Sequence, residues 1–204
     1  MKSENGEHIP SLAGKGSKRR IDQSYFQYCQ SCFDEMMEND GETYWLRIHQ
    51  TPGVFVCPTH EVLLQVSDVE VRRRSSIRYK HPNTMKTSTP LKLNEEYLYL
   101  YLEVARRIQR MYEQHHVPRE DYWYVKEYRA LMNAHGYVNV NQNIQIKQFV
   151  QGFEKHYSID FLQDFDLADV DQWLPRLLYD GAEIINPLAH ILVQIFFEGK
   201  KGNE

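Results

Sequence analysis

Two short pairs of metal-ligating residues constrain this chain more than any other feature. Cys29 and Cys32 are separated by two residues, Cys57 and His60 by two more, and 24 residues lie between the pairs. A two-residue gap lets two side chains from one tight turn converge on a single ion, so two such turns supply four ligands to a tetrahedral zinc. Three thiolates and one imidazole favour zinc, and four protein ligands close its shell, which predicts one structural rather than catalytic Zn2+. The alternative is three incidental buried thiols and a surface histidine, which paired spacing makes a poor explanation. The chain has 3 cysteines, all in its first third, too few for a disulfide framework.

Composition narrows the class. With 204 residues and 42% of them hydrophobic, the chain can build one medium domain or two small ones, which excludes global disorder. A net charge of -4 excludes a uniformly basic nucleic-acid coat and leaves room for a local basic patch. No stretch approaches the roughly 20 uninterrupted apolar residues of a membrane span. Met1 to Arg20 is polar and basic, without the apolar region of a secretory signal. These features predict a soluble, cytoplasmic protein with no membrane partner.

The pattern along the chain predicts a mainly α fold: a small zinc-knuckle domain with a short β-hairpin, followed by a helical bundle. Residues 1–24 read as a flexible basic arm, 25–66 as the knuckle, 67–93 as a basic connector, 94–199 as the helical domain and 200–204 as a tail. Asn94 is placed to cap a long helix in which Leu98, Tyr101, Leu102, Ala105, Ile108, Met111 and Tyr112 recur at three- and four-residue spacing. A second helix is expected from about Arg119 to His135, with Gly136 as its stop. Ile146, Phe149, Val150, Phe153 and Tyr157 mark a third, and Ser158 with Asp160 can start a short fourth. Asp169 and Gln172 resemble a capping box ahead of a helix that Pro175 should kink. Asn186 and Pro187 open a last helix, which Gly199 is expected to close.

No catalytic pattern accompanies the cysteines. A zinc deaminase needs H-x-E followed later by P-C-x-x-C, whereas here the Cys pair comes first and His60-Glu61 last. The sequence has no Gly-rich phosphate loop, nucleophile elbow or H-E-x-x-H. The expectation is a protein that is not an enzyme.

From Tyr28 to His60 the sequence resembles the zinc-finger signature of the TniQ/TnsD proteins, the target-site selectors of transposons. The resemblance rests on Tyr28-Cys29-x-x-Cys32, an acidic helix, the block Tyr44, Trp45, Arg47, His49, Gln50, Pro52, Gly53 and Val54, and then Cys57, Pro58 and His60. Phe153 with His156-Tyr157, Trp173-Leu174 with Arg176-Leu177-Leu178, and Asn186-Pro187-Leu188 with His190 and Leu192 look like the family's downstream helical region. Such a resemblance implies a non-catalytic adaptor that recognises an insertion site, either on DNA directly or through an RNA-guided effector complex, and recruits the transposon's AAA+ ATPase regulator. Family members usually carry a substantial segment before the knuckle, whereas Met1 to Tyr28 precede it here, which predicts a fragment, a truncated product or a short variant.

The remaining features each admit two readings. Tyr44, Trp45 and Ile48 read as packing on the knuckle, and His49 as an outer-sphere or helix-capping hydrogen-bond group. Arg47, with Arg72, Arg73, Arg74, Arg78 and Lys80 of the connector, can neutralise phosphates, or the connector is a solvated basic loop. His115 and His116 read as helix-end charges. Ile144 to Phe165 has helix-turn-helix proportions, but its second helix is acidic and carries no Arg or Lys, so it reads as a packed core element or an acidic protein-binding face. Asp164, Asp166 and Asp171 are the candidates for such a face, against a merely solvated surface. A stand-alone zinc-stabilised protein-interaction module without nucleic-acid binding is the rival function.

Overall fold

The aromatic run YFQY forms strand β1, Tyr25–Tyr28, which pairs antiparallel with β2, Gln65–Glu70. The register slips between Tyr25 and Gln27, a bulge at the sheet edge. A third strand, β3 at Ser88–Pro90, pairs antiparallel with β2 to give the order β1-β2-β3. The computed structural model describes residues 24–71, 80–114, 123–178 and 186–200. The expectations for the N-terminal arm, for Arg72, Arg73, Arg74 and Arg78, for His115 and His116, for the helix start at Arg119 and for the tail at 201–204 lie outside the described residues.

Helix α1, Gln30–Asn39, follows β1 directly and buries Cys32, Phe33 and Met36. Its Phe33 ring stacks on Tyr28 at 4.7 Å, while Phe26 stacks on Trp45 at 4.6 Å. Trp45 is therefore a packing residue, and its indole N–H donates to the Lys80 carbonyl at 2.6 Å. Tyr44 departs from the expectation and is 43% exposed. Tyr44 to Leu46 are not helical, and Arg47–Gln50 winds into a 3-10 turn, so Tyr44 and Ile48 do not share a helical face.

Asn94 caps as expected: its side chain accepts from the Glu96 N–H at 3.0 Å, leading through a 3-10 turn into α2, Leu98–Glu113. The buried stripe of α2 is Leu100, Tyr101, Val104, Ala105 and Ile108. Met111 and Tyr112, expected inward, are 42% and 46% exposed, because the last turn of α2 projects beyond the packed core and borders a cavity.

The described part of α3 is Trp123–Ala134, ended by Gly136 at φ +75. Met132 C=O accepts from Tyr137 N–H at 2.8 Å, which satisfies one of the helix's terminal carbonyls. Helix α4, Ile146–Tyr157, buries Phe149, Val150, Phe153 and Tyr157. Ser158 Oγ accepts from Phe161 N–H to start α5, Ile159–Asp164.

Helix α6 is Val170–Trp173, broken before Pro175 as its ring requires. The expected capping box is absent: Asp169 makes no side-chain cap hydrogen bond, and Gln172 N–H bonds instead to the Asp169 carbonyl at 3.0 Å. Helix α7, Pro187–Lys200, is capped by Asn186, whose side chain accepts from Leu188 N–H at 3.0 Å. Gly199 lies inside α7 rather than closing it, since it does not adopt the positive φ that a glycine stop uses.

One buried cluster runs from Cys29, Val54, Phe55 and Cys57 through Tyr101, Phe161 and Phe165 to Phe149, Phe153, Phe196 and Phe197. Phe55 is the bridge, 5.3 Å from Phe165 and 5.8 Å from Tyr101 between ring centres. Helix α7 buries Ala189, Leu192, Val193, Phe196 and Phe197, so it is apolar nearly all round, as the central helix of a bundle must be. Among the described residues, no helix is long and apolar enough to cross a membrane.

Two consequences are measurable. Gly53 sits at φ +87, and a Cβ there would lie 2.6 Å from Leu188 Cδ2. Gly53→Ala is expected to cost about 1–3 kcal/mol from backbone strain and overpacking, read as a lower urea midpoint. His190 Nδ1 and the Tyr128 hydroxyl lie 2.9 Å apart, and burial lowers the His190 pKa. As pH falls through the usual histidine range of about 6.5, the unfolded chain takes up a proton that the folded one refuses, so stability drops. His190→Gln should flatten that part of the Tm-against-pH curve, and an unchanged curve would show that His190 does not contribute.

Candidate metal centre

The two turns are built differently. Cys29 ends the extended run from β1 and occupies the N-cap position of α1, its carbonyl accepting from Phe33 N–H at 3.2 Å, so Cys32 falls in the first helical turn. The second turn closes a short hairpin: Val56 bridges Leu63, Cys57 N–H bonds to the Val62 carbonyl at 2.8 Å, and Glu61 adopts φ +57. Within it, His60 N–H points at the Cys57 sulfur at 3.4 Å.

Together these turns bring Cys29, Cys32, Cys57 and His60 into one cluster whose four ligand atoms lie within 4.8 Å of one another. His60 Nδ1 is 3.6 Å from Cys29 Sγ, 3.3 Å from Cys32 Sγ and 3.7 Å from Cys57 Sγ, and the Cys32 and Cys57 sulfurs are 3.6 Å apart. Zinc bonds of about 2.3 Å to sulfur and 2.0–2.1 Å to nitrogen imply tetrahedral edges of about 3.8 Å between sulfurs and about 3.5 Å from sulfur to nitrogen. These four separations lie close to those edges, and the cluster can hold a metal ion.

Protonation within the cluster follows from the contacts. Hydrogen bonding from Cys32 lowers the Cys57 pKa, with the His49 side chain and the His60 backbone N–H adding to it. The same Cys32–Cys57 contact raises Cys32, and burial raises Cys29. A hydrogen bond to Glu35, then one to Cys57, raises His60. Metal must displace these protons, so affinity falls as pH drops.

Glu35 is the residue that sequence reasoning missed. Its Oε1 lies 3.0 Å from His60 Nε2, so with Nδ1 turned to the sulfurs the Nε2–H donates to the carboxylate and fixes the ring. The available signal was its position, three residues after Cys32 and therefore on the same face of α1. His49 is 1% exposed, and its ring nitrogens make no hydrogen bond of ordinary length among the described residues, so it does not cap a helix. It helps to lower the Cys57 pKa without a hydrogen bond of ordinary length.

Family comparison agrees with this layout. The TniQ family model matches residues 2–64, which contain all four cluster residues, and the TnsD model, Tn7-like transposition protein D, matches residues 104–203. The chain belongs to the TniQ/TnsD family. That places it among transposition-associated adaptors. No curated protein matches the chain.

The other candidate residues of this TniQ/TnsD chain scatter. Arg47 is exposed, with its guanidinium 4.4 Å from the centre of the Tyr112 ring, and Tyr112 hydroxyl meets Thr51 Oγ1 at 2.8 Å. Lys80 is half-buried, is anchored through its carbonyl to Trp45, and shares a shallow depression with Asp68 and Lys86. Asp164 accepts from the Tyr101 hydroxyl at 2.6 Å, and with Asp166 it lines a cavity to which Asp171, exposed on α6, does not contribute. The segment from Ile144 to Phe165 buries Phe149, Phe153, Phe161, Leu162 and Phe165, the packed-core reading.

Glu35→Ala should lower zinc affinity by about 10–100-fold, as loss of an orienting partner does elsewhere, while Cys57→Ser should remove tight binding altogether. Competition against a chromophoric chelator measures both. Equal affinity of Glu35→Ala and the unaltered protein would deny Glu35 the orienting role.

Proposed function

We propose that this chain is a non-catalytic, zinc-stabilised adaptor of DNA transposition that selects the target site and recruits an AAA+ ATPase regulator. One structural Zn2+ is held by Cys29, Cys32, Cys57 and His60. The observation that carries the reading is the closed cluster of three sulfurs and one imidazole nitrogen within the stretch matched by the TniQ model. Four protein ligands leave a tetrahedral ion no position for substrate, which supports a scaffold rather than a hydrolytic centre.

Target engagement falls to the basic residues: Arg47 and Lys80, with Arg72, Arg73, Arg74 and Arg78, which lie in the sequence between β2 and Lys80, supply phosphate contacts on DNA or on the nucleic acid of an RNA-guided complex. Sequence choice then comes from elsewhere in the assembly, because phosphate contacts position without specifying. The acidic side, with Asp164, Asp166 and Asp171, serves protein contact, since carboxylates repel phosphates and attract a basic protein surface.

Binding of duplex DNA across a salt series tests the reading. Changing Arg72, Arg73, Arg74 and Arg78 together to Ala should weaken binding to every sequence and flatten the salt dependence by roughly one unit per lost phosphate contact, with zinc content unchanged. An unaltered salt slope would shift the chain to the rival function, a protein-interaction module without nucleic-acid binding.

A further inference from the structure

A cavity of about 200 Å³ opens where the knuckle meets the helices. Its floor is apolar, formed by Phe55 from the knuckle, Ile108 from α2, Phe165 from the end of α5 and Leu188 and Ile191 from α7. Met111 and Tyr112, exposed at the end of α2, stand on its rim. This is smaller than the roughly 300 Å³ at which cofactor and drug-sized sites begin, and far too narrow for a helix. It has the size of one long side chain.

Two carboxylates give the cavity a sign. Asp164 has one oxygen occupied by the Tyr101 hydroxyl at 2.6 Å. Asp166 is the sharper feature: its backbone is in the left-handed region at φ +62, and among the described residues its shielded Oδ1 has no hydrogen-bond partner, which leaves Oδ2 as the oxygen a ligand can reach. A carboxylate is acceptor-only, so that oxygen calls for a donor. The Arg47 guanidinium lies over the ring of Tyr112, and Arg47 is not part of the lining.

We propose that this cavity receives one arginine side chain from a basic protein partner, its methylene stem on Phe55, Phe165, Leu188 and Ile191 and its guanidinium on Asp166. Apolar walls with an acidic end match a side chain that buries its stem and keeps its head charged. Arginine suits the site better than lysine because guanidinium is more weakly hydrated and donates to carboxylates in a fixed fork. A nucleic acid does not fit, since its phosphates meet the carboxylates with like charge. The proposal deepens the partner-contact role given above to the acidic side and rests on it, replacing a diffuse charged face with one socket.

The test uses the zinc-loaded full chain and a capped tripeptide with arginine between two alanines, compared with the same peptide carrying citrulline, which has arginine's shape without its charge. Methyl resonances of Ile108, Leu188, Ile191 and Met111 report occupancy. The arginine peptide should shift them with at least about fivefold tighter binding than the citrulline peptide. Asp166→Asn should bring the two peptides level, and the fold should survive because asparagine tolerates this φ. Asp171→Asn, outside the cavity, should leave the difference intact.

Equal binding of the two peptides to the unaltered protein would overturn the proposal. So would an equal loss in Asp166→Asn and Asp171→Asn, which marks general surface charge. A protein that keeps the arginine preference but fails to capture the AAA+ regulator would sink the recruiting role and leave the socket standing.

Discussion

Four ligand atoms from two turns converge to within 4.8 Å, and most of the chain's architecture is arranged around that convergence. The first turn requires β1 to end and α1 to begin at Cys29, and the second requires a hairpin to reverse within Cys57 to Val62. Between them Val54, Phe55, Val56 and Cys57 form a continuous buried run, at most 2% exposed. Within that run Phe55 reaches the helical bundle, and Cys57, two residues on, joins the cluster.

That geometry explains which features were legible in the sequence. Ligand spacing is a local property, so the four cluster residues could be read directly, and the periodic apolar stripe of α4 likewise declares its buried face. Asn94, Gly136 and Asn186 were legible because caps and stops act within a few residues. What escaped depends on contacts distant in the chain. Strand β3 has three exposed residues, Ser88–Pro90, with no alternation to betray it, and it exists because β2 offers it a free edge. Glu35 was hidden by α1's general acidity, since only the position of His60 Nε2 singles it out.

The misread residues share a cause. Met111 and Tyr112 continue the apolar period of α2, yet the helix outruns the core and leaves them at the rim of a cavity. Periodicity reports which face of a helix is apolar, not where the partner surface stops. Asp169 and Gln172 match the capping-box pattern, but the chain passes from the Asp166 turn into a four-residue helix and Asp169 never turns its side chain inward to cap. A pattern of side chains presupposes a backbone, and here the tertiary path set the backbone first.

Coupling between the two halves follows from the same contacts. Gly53 can accept Leu188 only because it lacks a Cβ, and the Glu61–Arg106 ion pair ties the residue after His60 to α2. The ion pair is exposed and weak, so apolar contact carries most of the mechanical connection. A change at the metal cluster therefore reaches the bundle through Phe55 rather than through charge. The cavity lies on that route, because Phe55 is both a wall of it and a neighbour, two residues along, of Cys57. Ordering of the cluster and the shape of the acidic cavity are thus two properties of one buried segment, and a metal held by the sulfurs would fix the wall that Phe55 gives the cavity.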